Sequence, residues 1–535
     1  MKEIIIFLIT MMFFIPFALK KMQRLYLVVP FFLLCFLLIN NIGFLDKYTI
    51  IDTDTVFHKA LIDTLVDKQL FQNDSAIRFY LKTYPRGYHF LFLPFIKYDL
   101  SIPQVSKFFG ITLALIIPFL FYFLAKEIFF DKNTAFFAGI FCGVASIGHV
   151  VYSGLPRSIG LAIFIIALIC LFNYHNSKKK IRALVFLNLL MLLLIFIHPY
   201  TFTIVWIISV FFFLWLYCQS DKRNIQSIRE FLLIFLMLAG YIISLLVMKN
   251  ERGIALTTWD FMNSHKEICF SRVPYAFIDL HKLITEIGIL PIMIFAAALY
   301  DYCRFGLKNN KYLNLQALFV CLFTLVLYLI LVLNVNALCF LKAHRCVTFI
   351  SVLMFVSGCM VLKNLWNKIK KSKILIFFYC FILLLPSLNQ INQQIKKTKY
   401  PYYLQDNNEC FASPEEFNEV IDLAEYIEKN IPPDAVIACP MELGDTIRMF
   451  AGRAVTSSWK IGGMITTYKD ALCIFNQQIS NSKLLYANPD YLWQISGADY
   501  FLLEKKIISK SPALIRKFQV LWESGNLCFC RINHK

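Results

Sequence analysis

Charge is what this chain lacks. Only 16% of its 535 residues are Asp, Glu, Lys or Arg, against 59% hydrophobic, too little polar surface to cover a soluble domain of this size, so an integral membrane protein is the class that remains. The 16 cysteines offer no CxxC pair and no zinc-type Cys/His spacing, which excludes zinc ribbons and thioredoxin-like motifs. Cys142, Cys170 and Cys321 sit inside apolar runs, where a small buried hydrophobe is the expected role. Cys528 and Cys530 fall two apart on a predicted strand, hence on one face, a poor geometry for bridging each other, and no disulfide framework is expected. Internal repeats and low-complexity tracts are missing, and ionisable residues stay mostly at the ends of apolar runs. Both features argue against a transporter or flippase, for which repeats and broken helices near the bilayer midplane are expected. The opening "MKEIIIFLITMMFFIPFALKKMQR" has neither the basic start nor the small-residue cleavage site of a signal peptide and reads as a retained first helix.

What is present is a series of apolar runs near the bilayer-crossing length of about 17–25 residues. They lie near 4–19, 25–45, 104–125, 134–152, 156–173, 182–198, 201–217, 231–248, 284–301, 312–333, 345–362 and 372–388, giving about twelve spans. The net charge of +19 would suggest nucleic acid in a soluble protein. Here the positive residues gather in short clusters between spans ("KKMQR", "KEIFFDK", "NSKKKIR", "DKRNIQSIR", "RFGLKNNK", "KNLWNKIKKSK"), where they set orientation, and no nucleic acid partner is expected. Six such clusters agree on one topology. It places both termini, the loop 46–103, the loop 249–283 and everything after about 389 outside the cytoplasm. The expected architecture is a polytopic α-helical membrane domain over 1–388 and an extracytoplasmic α/β domain over 389–535.

The outer loop 46–103 contains "IIDTDTVFHKALIDTLVDKQLFQ" (50–72). Apolar residues at Phe57, Leu61 and Leu65, and again at Ile62, Val66 and Leu70, predict an amphipathic helix, expected to lie on the outer membrane surface. In the tail, "SPEEFNEVIDLAEYIEKNIPPDAVIACP" predicts a capped helix, a Pro-Pro break and a strand at Ala435–Cys439. "ELGDTIRMFAGRAVTSSWK" continues as helix, glycine turn and strand. "ADYFLLEKK" predicts another strand, and "FQVLWES-GN-LCFCRI" a hairpin across Gly525-Asn526.

Asp52 and Asp54 admit two compatible readings. A carboxylate just outside a span can act as general base on an acceptor hydroxyl, or the pair can hold a divalent cation against a lipid phosphate. Alternatively, Asp54 N-caps the following helix. His58, one turn on, could orient a carboxylate or phosphate. In "TYPRGYHFLFLPF" (83–95), Arg86 and His89 are either phosphate ligands or members of an aromatic belt. Arg157, in "VYSGLPRSIGL", stands at the outer end of a span, where a cation is costly unless paired. The outer "HPYT" (198–201) and "KAHRC" (342–346, with Arg345) raise the same question. Several outer cationic sites near one acidic loop suggest an anionic ligand, though each also serves as an ordinary interface anchor.

The acidic pair in the first large outer loop, the amphipathic helix behind it, the many later spans and the outer C-terminal domain together resemble the GT-C superfamily of membrane glycosyltransferases. That superfamily includes protein mannosyltransferases, oligosaccharyltransferase catalytic subunits and enzymes that attach aminoarabinose to lipid A. "DTDTVFHKALIDTL", "YPRGYHFL" and the tail "YIEKNIPPDAVIACP…IRMFAGRAVTSSWK" carry the likeness to its bacterial and archaeal members. The resemblance implies an enzyme that transfers sugar, with inversion, from a polyprenyl-phosphate donor to a glycan, lipid or protein acceptor. It implies a loop aspartate (Asp54 or Asp52) as catalytic base or as ligand to Mg or Mn, with Arg157, Arg86, Arg345, His58 and His89 as candidates to bind the donor phosphate. The expected location is a cell inner (plasma) membrane, in contact with the lipid bilayer; the Lys-, Ile- and Phe-rich composition is that of a bacterial chain. Two departures stand out. Two apolar runs precede the acidic loop where one is usual, and no WWDYG-type sequence accompanies the outer "TTWDFM" (257–262), so transfer to a protein sequon is not supported. A lipid-linked polysaccharide polymerase is the competing enzyme reading, and a non-catalytic transporter or envelope scaffold the non-enzyme one.

Overall fold

The computed structural model describes residues 54–67, 69–83, 86–96, 101–139, 156–176, 180–219, 289–306, 319–320, 322–326, 349–359, 414–458, 469–508 and 516–533, with isolated helical positions at 229, 232, 236, 239–240, 361 and 364. They form two compact units, one made of 54–105 and 414–533, the other of the described residues from 106 to 364. The predicted spans at 4–19, 25–45 and 372–388, and most of 231–248 and 312–333, lie outside the described residues.

The first unit opens with helices α1 (Asp54–Val66) and α2 (Ser75–Thr83), whose architecture is taken up below. In the other unit, α3 (Ile102–Phe129) covers the predicted span at 104–125. Three helices among the described residues are long and apolar enough to cross a membrane: α4 (Pro156–Asn176), α5 (Lys180–Ile197) and α6 (Pro199–Gln219). On α5, Val185, Phe186, Leu189, Leu192, Leu193 and Phe196 are exposed, while Leu187, Leu190, Met191 and Leu194 are buried. An apolar face left outward is stable only against lipid chains. Edge-on aromatic pairs, Phe172 with Phe212 and Tyr174 with Phe213, both at 5.3 Å between centroids, join α4 to α6. Helix α7 (Ile289–Gly306) meets the stretch 349–359 at Gly358, where a Cβ would come within 2.1 Å of Ile294 Cγ2, the small-residue contact that lets membrane helices approach closely.

The remainder of the first unit is an α/β domain. Helix α8 (Pro414–Asn430) leads to β1 (Val436–Ala438), α9 (Met441–Ala451) and β2 (Ala454–Val455). Helices α10 (Lys469–Ala487) and α11 (Pro489–Ser496) then precede β3 (Tyr500–Glu504), and β4 (Phe518–Ser524) and β5 (Leu527–Ile532) close the sheet. The strand order is β2-β1-β3-β5-β4, with β2, β1 and β3 parallel and the last two antiparallel. Alternation along the strands splits the core into two layers. Ile437, Leu502 and Phe529 face α8 and α9, whereas Val436, Phe501, Leu503, Cys528 and Cys530 face α10 and α11. Because helices cover both faces, the parallel strand β1 is buried along its whole length, as such sheets require. The strands and hairpin expected from the tail are present; the helices α10 and α11 and the crossovers they make were not read from sequence.

Local chemistry explains the junctions. Asn488 caps α11 by accepting from Tyr491 N at 3.2 Å, with Pro489 at the first helical position, where its missing N–H costs nothing. Gly452 ends α9 in the left-handed region at φ 62°, a conformation glycine takes without strain. The next residue, Arg453, is 5% exposed and donates to Ala451 O (2.9 Å), Glu428 O (3.2 Å) and Ile431 O (2.6 Å). One cation thus closes the carbonyl ends of both α8 and α9, the favourable end of a helix dipole for positive charge. Burial nevertheless pulls its pKa below the ordinary guanidinium value, against the opposing pull of Glu428 and Asp434. Replacing Arg453 with methionine is expected to destabilise this domain by about 2 kcal/mol, seen as an earlier loss of protease resistance over 414–533 on heating. On β5, Cys528 and Cys530 are free thiols with Sγ atoms 3.2 Å apart; their shared hydrogen bond lowers the pKa of Cys528 and raises that of Cys530.

Candidate active site and its support

Helix α1 begins at Asp54, so the helix predicted after the acidic pair is there. Asp52 lies outside the described residues, and of Asp54 the backbone position alone is described. One turn on, His58 is 3% exposed and its Nδ1 lies 3.0 Å from Nε2 of His89, itself 1% exposed. His89 is carried by the helical turn Gly87–Phe90. The ring of Tyr88 packs edge-on against His58 at 5.0 Å and is itself wedged by Phe92 at 4.8 Å. The two histidines, separated by 31 residues, are therefore brought together beside the rings of Tyr88 and Phe92. In such a pair one ring nitrogen donates and the other accepts, which fixes both ring orientations.

Arg86, just before that turn, is exposed, and its Nε and Nη2 donate to Leu81 O at 3.3 and 2.9 Å, satisfying a carbonyl in the last turn of α2. Two of its guanidinium nitrogens are thus engaged with backbone. Arg157 occupies the first turn of α4, directly after Pro156, and is half-buried. A cation there opposes the helix dipole, so helix stability does not explain it. His198 has a structural role: its Nδ1 accepts from Thr201 N (3.3 Å) and pairs with Thr201 Oγ1 (2.6 Å), capping α6 ahead of Pro199. Gly160 makes room for that cap, since a Cβ there would stand 2.8 Å from Thr201 Oγ1. Arg345 and "KAHRC" lie outside the described residues.

Part of the apolar face of α1 packs against protein, while Val66 of the predicted pattern is exposed. Ala60 and Leu61 pack with Phe71, Ala76, Ile77, Phe79 and Tyr80, and Ile474 of α10 packs against the same cluster. Helix α1 also runs against α9, and α2 against α10. Residues 54–105 therefore share a unit with the C-terminal α/β domain, although their sequence position would group them with the predicted spans.

Sequence reasoning missed the polar centre of this contact. Asp74 N-caps α2, its Oδ1 accepting from Ile77 N at 3.0 Å. The same carboxylate takes a two-pronged bond from Arg448 of α9, Nε to Oδ2 at 2.8 Å and Nη2 to Oδ1 at 3.1 Å, and a bond from Val455 N at 3.3 Å. Arg448 also donates through Nη1 to Asp445 Oδ1 (2.9 Å) and Ser458 Oγ (2.7 Å). Asp74 is 0% and Arg448 2% exposed. Burial by itself would lower the guanidinium pKa; the carboxylates of Asp74 and Asp445 outweigh it and hold the pKa above its ordinary value. The only sequence signal was "FQNDS", in which an aspartate before a polar helix start reads as a cap.

Among the described residues no group of three or more His, Cys, Asp or Glu side chains is placed to hold a metal ion, and the ring nitrogens joining His58 to His89 face each other. The described residues thus do not fit a metal centre by themselves.

No known family model matches the sequence, and no curated protein matches it. Solved structures do match. ArnT from Cupriavidus metallidurans in the apo state aligns with a TM-score of 0.54 at 11% identity, over 94% of this chain and 97% of that one. The oligosaccharyltransferase AglB from Archaeoglobus fulgidus, in complex with an inhibitory peptide and a dolichol-phosphate, aligns with a TM-score of 0.52 at 10% identity, over 91% and 70%. The same archaeal enzyme in complex with Zn and sulfate gives 0.50 at 11%, over 84% of this chain; the present chain spans 64% of its length. At 10–11% identity these likenesses show a shared fold: this chain has the fold of ArnT and AglB, the GT-C fold that the sequence resemblance implies.

Proposed function

We propose that this protein is a membrane glycosyltransferase that moves a sugar from a polyprenyl-phosphate-linked donor to an extracytoplasmic lipid, glycan or protein acceptor. The observation that carries the reading is the placement of Asp54 at the start of α1, one turn before the buried His58–His89 pair, within a fold otherwise found in sugar transferases. A dolichol-phosphate bound to the archaeal neighbour supports a lipid phosphate as the donor's carrier.

In the proposed reaction the Asp54 carboxylate removes the proton of the acceptor hydroxyl as its oxygen attacks the anomeric carbon. The bond from that carbon to the phosphate oxygen breaks, and the polyprenyl phosphate leaves with the electron pair. A single displacement of this kind inverts the anomeric centre. His58, held by His89, is the candidate to orient the carboxylate. Arg157 is the favoured candidate for the phosphate, as a cation that binds such a group by charge and hydrogen bonds; Arg86 and Arg345 are secondary candidates. Asp52 would partner Asp54, and the two would be the holders of a divalent cation such as Mg or Mn. No step above is routed through that ion.

The test is incubation of membranes containing the protein with a panel of radiolabelled polyprenyl-phosphate sugars. Release of label from one lipid donor into a new lipid, glycan or protein fraction is the expected result. Failure of the wild-type protein to consume any of them would sink the reading.

A further inference from the structure

Resting on that reading, we propose that the Asp74–Arg448 ion pair is a positioning element of the transferase, holding α1, and with it Asp54 and His58, in fixed register with the C-terminal α/β domain. The two residues are 374 positions apart in the chain, yet they make the most completely satisfied polar contact between the outer-loop helices and that domain. Four donors converge on the Asp74 carboxylate: two arms of Arg448, Val455 N and Ile77 N. The third guanidinium nitrogen is spent on Asp445 and Ser458. From α9, Arg448 therefore holds the cap of α2, Asp445 one turn earlier on its own helix, and Ser458 three residues past β2 at once.

Stability alone is a poor reason for such a pair. Apolar residues of similar volume commonly replace a buried ion pair with no loss, because desolvating two charges offsets their attraction. Apolar packing already exists here, in the cluster from Ala60 to Tyr80 with Ile474. What the pair adds is geometry. A two-pronged arginine–carboxylate contact fixes distance and angle together, whereas aliphatic side chains permit sliding. A helix that carries a base one turn before a buried histidine pair needs that constraint, since a misplacement of about 1 Å can cost about 10²-fold in rate.

Two conservative variants of the full-length protein test this. Arg448→Lys keeps the charge and removes the fork; Asp74→Asn keeps the helix cap and removes the charge. Expected in both is faster hydrogen–deuterium exchange over residues 54–83 with β1, β3 and β5 as protected as in wild type. Turnover of the polyprenyl-phosphate sugar that wild type consumes should fall about 10- to 100-fold, with KM for that donor within about twofold. Unchanged exchange over 54–83 in both variants overturns the proposal, as does simultaneous opening of the sheet, which would make the pair merely structural. Normal turnover in both variants also overturns it while leaving the transferase reading standing. A wild-type protein that consumes no donor removes the transferase reading, and the positioning role with it.

Discussion

Asp54→Asn is expected to lower sugar transfer by about 10²- to 10⁴-fold, the usual contribution of a general base, without disturbing α1. The substitution is informative because it separates the two jobs an aspartate can do at a helix start. Asparagine caps a helix about as well as aspartate, so a purely capping Asp54 would tolerate the change with full activity. It cannot accept a proton at neutral pH, so a catalytic Asp54 would not. The matched change Asp52→Asn ranks the two carboxylates: the base is the one whose loss removes turnover at saturating donor. Exchange protection over 54–66 is the control, and it should stay at the wild-type level in both. Transfer at wild-type rate in both variants would return the pair to a structural role.

Gly444→Ala is expected to destabilise the C-terminal domain by about 3 kcal/mol or more, although alanine is the better helix former by about 1 kcal/mol. The sign is decided by space. A Cβ at position 444 would stand 1.8 Å from Ser457 O and 2.9 Å from Ser457 C, and backbone cannot rotate aside as a side-chain tip can. Helix α9 must shift away from the segment following β2, and overpacking of this kind outweighs the propensity gain. The shift would also draw Arg448 away from Ser458, one residue beyond the point of contact. Thermal unfolding of the detergent-solubilised protein, followed by proteolysis of residues 414–533, should show a lower midpoint than wild type. A midpoint at or above wild type would mean that the close approach of α9 to Ser457 is not maintained in solution.

Much of the α/β domain was legible because its signals are local. Gly525-Asn526 between two apolar strands specifies a hairpin, Gly452 before Arg453 marks a helix end, and the Pro-Pro at 432–433 separates α8 from β1. The span reading rests on an equally local quantity, the run of apolar residues, and α4, α5 and α6 follow it closely. What could not be read is the identity of a partner surface. The apolar spacing along α1 predicts a face that leaves water, but such a face would suit lipid or protein; Phe71, Phe79 and Ile474 pack in the cluster that holds Leu61, and Val66 stays exposed. His198 looked like an outer cation; the Pro199 behind it was the overlooked sign of a helix start. Asp74 and Arg448 carried no joint signal at all. Each has a plausible solitary role, and the 374 residues between them hide the pairing.

That separation has a consequence for how the chain is made. With synthesis at about 5–20 residues per second, Asp74 would leave the ribosome about 20–75 s before Arg448. Throughout that interval α1 and α2 lack the surface that completes burial of their apolar cluster, and the carboxylate that caps α2 lacks its countercharge. Helices α1 and α2 must therefore wait without their partner surface while the chain between them and α9 is made, and docking of the C-terminal α/β domain completes them as one of the last events of assembly. Chains interrupted before α9 would present α1 and α2 with Asp74 uncompensated and the cluster around Leu61 lacking Ile474.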